Sequence, residues 1–580
     1  MTNFWWRFAA FWLLAGLALR VFIAGQLGTE DVDVRAVAVV MGLLNDLKAL
    51  GIVGGWLAIG FLLGFRAGRI WFAVTLAFVS LVMVAEVVYW IEFQNRLDRL
   101  VFHYLGYPRE ILTFLEEQFS LSWYALPFLG VVWLLYRWMS GWLPGRDSWG
   151  ADRGGLVAWV VVGVAFVALV GPGTPGHSRY LNQLASNGYL GMLRAARMDM
   201  SVWQGAYWRP SLLEQLDASV NRATDPTPFK HLILVVEESF SGDTWWDGAA
   251  RQKYMPELAK LVEQGIYFDN VYATGSRTTR GLEAILNGFP PLPGIAVTER
   301  AGFERLPSLP RDLGRAGFHT SFVYGGWPGF SSFFDYWKGI GFHEMSSRYD
   351  FDDRWFETSW GVADEILFDR VLTEMDRLTE AHERVMISAL TVTNHRPFDF
   401  PDNRVAYPAD ERRSEYAMAY ADWALGDFVR RAAYHPWSAD TLIVVVADHA
   451  PTLVGDALVP ANGYRVPLLF LNQLRLPPRV VHHLGSTMSL PITLLDVLGV
   501  NPSPGFYGAN LLQEADGVVP VEHNYHVGLL DRERLTVLVR SGDVFSWRMA
   551  GDMLQPDQPD YDRAAKAEAL FRAAHEGFYR

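Results

Sequence analysis

The sequence predicts a multi-domain membrane protein, with an N-terminal bundle of five transmembrane helices followed by a large α/β domain outside the cytoplasm. Three observations carry that prediction. Residues 1–171 of the 580 hold long apolar runs, residues 229–580 have ordinary globular composition with strand and helix patterns in alternation, and several of those strands end on carboxylate or imidazole side chains. A chain of this length exceeds what one hydrophobic core organises.

Crossing a hydrocarbon core takes roughly 20 mainly apolar residues. Five runs approach that standard: Trp5–Gln26, Val37–Gly64, Ile70–Phe93, Leu121–Trp142 and Gly155–Val170. Arg7 and Arg20 stand near the ends of the first run, where long side chains reach the interface. No small-residue cleavage site follows it, so it reads as a retained helix rather than a removed signal. Trp5, Trp6, Trp71, Tyr89, Trp90, Trp123, Trp138 and Trp142 cluster near predicted helix ends, as an interfacial aromatic belt requires.

Loop charge orients the bundle. Gly64–Arg69 and Pro144–Arg153 are basic and are expected on the cytoplasmic side, whereas Thr29–Asp33 is acidic and falls opposite, with the Asn95–Ser120 loop. The N-terminus is then cytoplasmic and everything after Val170 extracytoplasmic. Asp46 and Lys48, within or beside the second run, are expected to pair with each other. Residues 172–228 read as a connector whose run Gly188–Arg197 has helical spacing, suited either to the membrane surface or to packing on the following domain.

Composition excludes several function classes. The net charge is −13 and no polybasic tract occurs, which argues against nucleic acid as a partner. With no cysteine, neither a disulfide framework nor a thiolate metal site is possible, so a metal must be held by imidazole, carboxylate or hydroxyl groups.

In residues 229–580 the expected strands are Leu232–Val236, Ile266–Val271, Thr320–Tyr324, Val385–Thr391, Thr441–Ala447, Val466–Leu471 and Leu535–Val539. Helical patterns cover Tyr254–Gln264, Arg280–Leu286, Ser308–Ala316, Val362–Ala381, Arg412–Ala433 and Leu490–Leu498. Strands alternating with helices give a sheet flanked by helices, with ligands at the carboxyl ends of the strands. Asp516–Arg580 offers a late strand and a terminal helix.

The strand ends hold the chemistry. Leu232–Val236 runs into Glu237 and Glu238, and a buried strand does not ordinarily finish on paired acids. Thr441–Ala447 runs into Asp448 and His449. Two carboxylates and an imidazole at neighbouring strand ends make a hard, oxygen-rich donor set for Mn²⁺, Mg²⁺ or Zn²⁺. Thr274–Glu283, TGSRTTRGLE, is a turn leading into a helix. Thr278 or Thr279 there serves as a helix cap, or Thr278 as a metal-activated nucleophile, and the helix start with Arg277 or Arg280 suits a phosphate. His395, in TVTNHRP after another strand, is placed to bond a phosphoryl oxygen or to pass a proton to a departing alcohol.

The segments LVVEESFSG, TGSRTTRGLEAILNGFPPLPG, TVTNHRPFDFP, VVVADHAPTLVGD and GYRVPLLFL, with GSTMSLPITLLDVLG and FYGANLL after them, resemble the lipoteichoic acid synthase and phosphoglycerol transferase group of the alkaline phosphatase/sulfatase superfamily. The resemblance covers about residues 229–515. It implies an extracytoplasmic sulfatase-like α/β domain with a central mixed sheet, in a multi-pass protein of the bacterial inner (plasma) membrane. It further implies Glu238, Thr278, Asp448 and His449 as ligands of one divalent metal ion, Mn²⁺ favoured, with Thr278 as nucleophile and His395 as a substrate contact. Only the resemblance selects Glu238 over Glu237. The chain departs from the group in Gly325–Phe342, which lacks the polar Asn or Arg expected to contact phosphate and leaves Lys338 or Ser332 as substitutes. Ser489 likewise replaces an acid. The implied activity is transfer of phosphoglycerol from a membrane phospholipid, phosphatidylglycerol foremost, through a threonine-bound intermediate to an envelope glycan, glycolipid or polyglycerolphosphate. A phosphoethanolamine transferase and a non-catalytic lipid sensor or scaffold are the alternatives. Sulfatases need a modified Cys or Ser where Thr278 stands.

Overall fold

A computed structural model of the chain describes residues 2–26, 32–98, 101–102, 112, 115–116, 120–143, 145, 153–169, 176–197, 229–451, 455–472, 474–513, 515–539, 541–551 and 553–579. It forms two compact units, Met1–Val202 and Trp203–Arg580.

In the first unit, α1 (Thr2–Gln26), α2 (Val32–Leu62), α3 (Phe65–Phe93), α4 (Leu121–Ser140) and α5 (Arg153–Ala168) fall on the five apolar runs. Three of them are long and apolar enough to cross a membrane, over Asn3–Gln26, Ala36–Leu62 and Phe65–Ile91. Two fall short of that standard. α5 has 16 residues, and α4, of 20 residues, is diluted by Trp123, Tyr124, Trp133, Tyr136, Arg137 and Trp138 and interrupted by Pro127.

Asp46 does not pair with Lys48. Two residues apart on a helix, the two side chains point in different directions. Asp46 instead takes the buried guanidinium of Arg20, with Nη2 2.6 Å from Oδ1 and Nε 3.3 Å from Oδ2, while Lys48 donates to Asn45 Oδ1 at 3.3 Å. A second buried pair, Arg96 with Glu86, lies at 2.7 and 2.8 Å. Both arginines also donate to the carbonyl of Ser186, at the break between α6 (Arg179–Ala185) and α7 (Gly188–Arg197). Buried, non-helical backbone needs such donors. Residues 176–197 of the expected connector therefore pack into the first unit, with Leu190 buried among Phe4, Phe8, Trp12 and Leu76. The Pro-Gly turn at 171–175, most of the loops at 29–33, 95–120 and 144–153, and residues 198–228 lie outside the described residues.

In the second unit, among the described residues, a nine-stranded sheet has the order β10-β2-β9-β8-β1-β7-β3-β4, with β11 also paired to β2. The strands are β1 (His231–Glu237), β2 (Ile266–Tyr272), β3 (Phe318–Tyr324), β4 (Glu344–Ser346), β7 (Arg384–Leu390), β8 (Thr441–Ala447), β9 (Arg465–Leu471), β10 (Arg479–Val481) and β11 (Gly485–Ser486). β9 is antiparallel to β8 and β2, so the sheet is mixed. At its centre β7, β1 and β8 run parallel, with Val236 opposite Leu390 and Glu237 opposite Ala447. Their carboxyl ends therefore emerge side by side. The helices include α8 (Thr278–Asn287), α9 (Asp364–Ala381), α10 (Ser414–Ala432) and α11 (Leu490–Val497). The continuous aliphatic runs of β1 and β8 are buried along nearly their whole length, as a central strand covered on both faces requires.

The C-terminal region holds more than the expected single strand. Residues 519–557 fold as a five-stranded antiparallel meander, β12 (Val519–His523), β13 (His526–Leu530), β14 (Arg534–Leu538), β15 (Val544–Ala550) and β16 (Met553–Asp557), followed by helix α12 (Tyr561–Tyr579). Its strands are short and β15 and β16 carry charged or polar residues on half-exposed faces, which weakens the apolar signal that marks a strand.

Candidate active site

Three chain segments meet at the carboxyl ends of β7, β1 and β8. Strand alternation sends Glu237 and Glu238 to opposite sides. Glu237 points into the core, where Thr391 Oγ1 donates to it at 3.0 Å; burial, reinforced by Asp364, pushes this carboxyl well above the usual range. Glu238 points into the site. Its Oε2 accepts from Thr278 Oγ1 at 3.0 Å and stands 3.3 Å from His395 Nε2, and its Oε1 accepts from Ser239 Oγ at 2.7 Å and stands 3.4 Å from His449 Nε2. Burial alone would raise the Glu238 carboxyl, but His395 and His449 hold it well below the ordinary value.

Asp448 leaves β8 one residue past the ladder, its N–H donating to the Glu237 carbonyl at 3.2 Å. Its Oδ1 accepts from the N–H groups of Ser239 and His449, both at 2.8 Å. Among the described residues its Oδ2 is buried with no hydrogen-bond partner, and it lies 3.4 Å from His449 Nε2. Burial, then the charge of Glu238, pushes Asp448 up to about 7, while Asp448 and Glu238 overcome burial to push His449 up to about 9. Ligand atoms of Glu238, Asp448 and His449 lie within 4.8 Å of one another. An orphaned carboxylate oxygen facing a second carboxylate and an imidazole is the donor set a divalent cation completes, and its charge would relieve the crowding of the two acids.

Thr278 begins α8 but does not cap it. The capping position belongs to Arg277, whose side chain makes no cap bond, and the Thr278 hydroxyl turns to Glu238. Gly281, on the next turn, lets the helix press onto the end of β8: a Cβ there would stand 2.7 Å from both Cβ and the carbonyl oxygen of Asp448.

Sequence reasoning placed two cations differently. Arg280 is buried on the far side of α8, its guanidinium bonded to Glu283 at 2.7 Å and to the carbonyls of Leu292 and Gly294, with Glu522 at 3.4 Å. These partners occupy the fork and leave it no access to a substrate. Lys338 is exposed near the end of Phe333–Ile340 and, among the described residues, makes no bond to Glu238, Thr278, His395, Asp448 or His449. Arg277 is half-buried beside Thr278 and stays a candidate for an anion.

The loop after β7 supplies groups that the sequence reading passed over. Thr391 Oγ1 accepts from the Glu238 N–H at 2.9 Å, and Asn394 Nδ2 donates to the Glu238 carbonyl at 3.1 Å. Their signal was their place beside His395, in the same TVTNH run.

Residues 230–500 match the family model Sulfatase. Phosphoglycerol transferase I of Xanthomonas campestris pv. campestris is 26% identical over 308 residues, 49% of this chain and 43% of that protein. The enzyme of the same name from Salmonella arizonae is 27% identical over 241 residues, 39% of this chain and 32% of that one. The alignments thus span less than half the length of these relatives. A solved protein of the alkaline phosphatase superfamily from Vibrio parahaemolyticus superposes with a TM-score of 0.59 at 27% identity, covering 64% of this chain and 92% of that one. The lipoteichoic acid synthase LtaP of Listeria monocytogenes shares the fold, with a TM-score of 0.53 at 19% identity over 60% of this chain and 92% of that one. Residues 230–500 thus match a sulfatase domain in sequence and share their fold with a solved protein of the alkaline phosphatase superfamily.

Proposed function

We propose that the protein is a membrane-anchored phosphoglycerol transferase that works through Thr278. The observation that carries this reading is the shared carboxylate of Glu238, which takes the Thr278 hydroxyl at 3.0 Å and faces His395 and His449 at 3.3 and 3.4 Å. The relatives named phosphoglycerol transferase I support the reaction class.

Glu238, Thr278, Asp448 and His449 would hold one divalent ion, Mn²⁺ favoured and Mg²⁺ or Zn²⁺ also suited, which when bound lowers the hydroxyl pKa and offsets phosphoryl charge. Thr278 Oγ, having released its proton to water, forms a bond to the phosphorus of a membrane phosphodiester, phosphatidylglycerol foremost, as the bond from phosphorus to the diacylglycerol oxygen breaks. His395, whose imidazole Glu238 raises against the opposing effect of burial, gives its proton to that leaving oxygen. An acceptor hydroxyl on an envelope glycan, glycolipid or polyglycerolphosphate then bonds to phosphorus, His395 takes its proton, and the Thr278 oxygen departs. Arg277 is suited to steady the phosphate.

In this reading the five apolar N-terminal helices hold the enzyme in the bacterial inner membrane, with the N-terminus cytoplasmic and residues 229–580 outside. The test is Thr278→Ala in the full chain, assayed with headgroup-labelled phosphatidylglycerol. Release of diacylglycerol should stop while the melting temperature stays near that of the parent. Undiminished release by a folded variant removes Thr278 as nucleophile.

A further inference from the structure

His395 sits in the loop between Leu390 and Phe398, which has no ladder to hold it. Two of its N–H groups, on the buried residues Val392 and Thr393, would lack partners if Asp364 were not there. Asp364 Oδ1 accepts from both, at 3.2 and 3.3 Å. Four residues earlier in the same segment, the indole of Trp360 stacks on the His395 imidazole, with centroids 4.3 Å apart and planes at 22°. The indole N–H donates to the carbonyl of Arg396 at 2.6 Å. Trp360–Asp364, WGVAD, thus meets the His395 loop at Val392, Thr393, His395 and Arg396.

The segment is itself seated. Trp360 lies in the turn between β5 (Glu357–Thr358) and β6 (Gly361–Val362), its N–H donating to Thr358 Oγ1 at 3.1 Å. That hairpin rests on the stretch that lacks the expected Asn or Arg. Val362 N–H donates to the Gly325 carbonyl at 3.1 Å, Gly326 bridges to Gly361, and Trp327 Nε1 donates to the Ser359 carbonyl at 3.2 Å. Gly361 has φ +149°, and a Cβ there would stand 2.3 Å from the Gly325 carbonyl oxygen, so the two backbones touch only because Gly361 has no side chain. Residues 325–327 serve as the base of the hairpin that carries Trp360.

We infer that Trp360 and Asp364 are positioning residues that act through His395, a role that rests on the reaction proposed above. Asp364 fixes the path of the loop, and the indole fixes the plane of the ring, so that Nε2 faces the Glu238 and Thr278 side of the site. The terminal torsion of a histidine is broad and two-fold, and a single 3.3 Å contact to Glu238 does not by itself select one ring plane. An aromatic stack of this kind is worth a factor of about 2 to 12 in a conformational equilibrium, enough to decide which orientation dominates.

The test uses four variants of the full chain in detergent with Mn²⁺ and phosphatidylglycerol. Trp360→Leu and Asp364→Ala should lower kcat by about 10-fold and leave KM for the lipid within about twofold, because the groups act on His395 and not on the lipid. Trp360→Phe keeps a stacking face, and Asp364→Asn keeps an accepting oxygen; each should recover most of the lost rate. A crystal structure of Trp360→Leu reads the same inference without substrate and should show the imidazole turned away from Glu238. Equal rates for Trp360→Leu and the parent, or an imidazole unmoved in that variant, overturns the inference. A parent chain with no transfer activity, together with a turned imidazole in Trp360→Leu, overturns the proposed reaction and leaves the positioning role standing.

Discussion

Replacing Gly281 with alanine tests how tightly Thr278, the proposed nucleophile, depends on the packing of α8 against β8. The new Cβ would lie 2.7 Å from Asp448 Cβ and carbonyl oxygen, against 3.4 Å for the near limit of ordinary contact, so the helix must withdraw by the difference of 0.7 Å. If that displacement is carried to Thr278, its 3.0 Å bond to Glu238 lengthens to about 3.7 Å, which is no longer a hydrogen bond. Overpacking costs about 1–3 kcal/mol and alanine returns about 1 kcal/mol of helix propensity, so the net loss of stability is about 0–2 kcal/mol. The effect on rate is larger, since a misplacement near 1 Å can cost about 100-fold. The assay pairs thermal unfolding of the full chain in detergent with release of diacylglycerol from phosphatidylglycerol. A Gly281→Ala variant that melts within a few degrees of the parent and turns over within twofold of it would refute the account of this contact.

Arg280→Met breaks a buried ion pair and should destabilise the protein by about 3–5 kcal/mol, read as a lowered denaturation midpoint, while the folded fraction keeps its KM for the lipid. A raised KM at unchanged stability would return Arg280 to the substrate site. Lys338→Ala, at an exposed position, should leave both kcat and KM within about twofold. His231, buried at the start of β1 with Nδ1 accepting the Val385 N–H, is depressed by burial to about 4 from 6.5. The unfolded chain therefore binds this proton first, and stability is full above pH 6.5 and lost as pH falls toward 4, by on the order of 3 kcal/mol in all. Chemical denaturation from pH 7 to 5 should show that decline, and His231→Gln should flatten it; an unchanged slope would assign the acid sensitivity elsewhere.

The parts of the fold that could be read from sequence are those whose signal is local. The aliphatic run of β8 was bounded correctly at Thr441–Ala447, and β1, β7 and β9 to within a residue at either end, because buried parallel or central strands are nearly all apolar. The site followed from them, since Glu238 and Asp448-His449 stand where such strands stop. Glu237 and Glu238 were indistinguishable without the neighbours that give each side of β1 its character: Thr391 and Asp364 on one, Thr278, His395 and His449 on the other. Arg280 was misread for a related reason. A helix start rich in Arg and Thr looks like a phosphate site, yet the second carboxylate that claims Arg280 is Glu522 in the C-terminal meander. Pairing of Asp46 with Arg20 has the same long-range character, although the two-residue spacing to Lys48 already spoke against the nearer partner. Asp364 lay inside the helix expected over Val362–Ala381 and Trp360 two residues before it, and neither carried a motif by itself; only the tertiary structure brings them to the His395 loop.

The central claim is that Thr278 carries the transferred group. Incubating the full chain with phosphatidylglycerol and Mn²⁺, quenching in acid and mapping peptides by mass spectrometry tests it directly, with phosphatidylethanolamine as the parallel donor. The account predicts a phosphoglycerol adduct on the peptide holding Thr278, absent from Thr278→Ala. Diacylglycerol release with no adduct on Thr278 at any quench time, or an adduct formed from phosphatidylethanolamine alone, would contradict it.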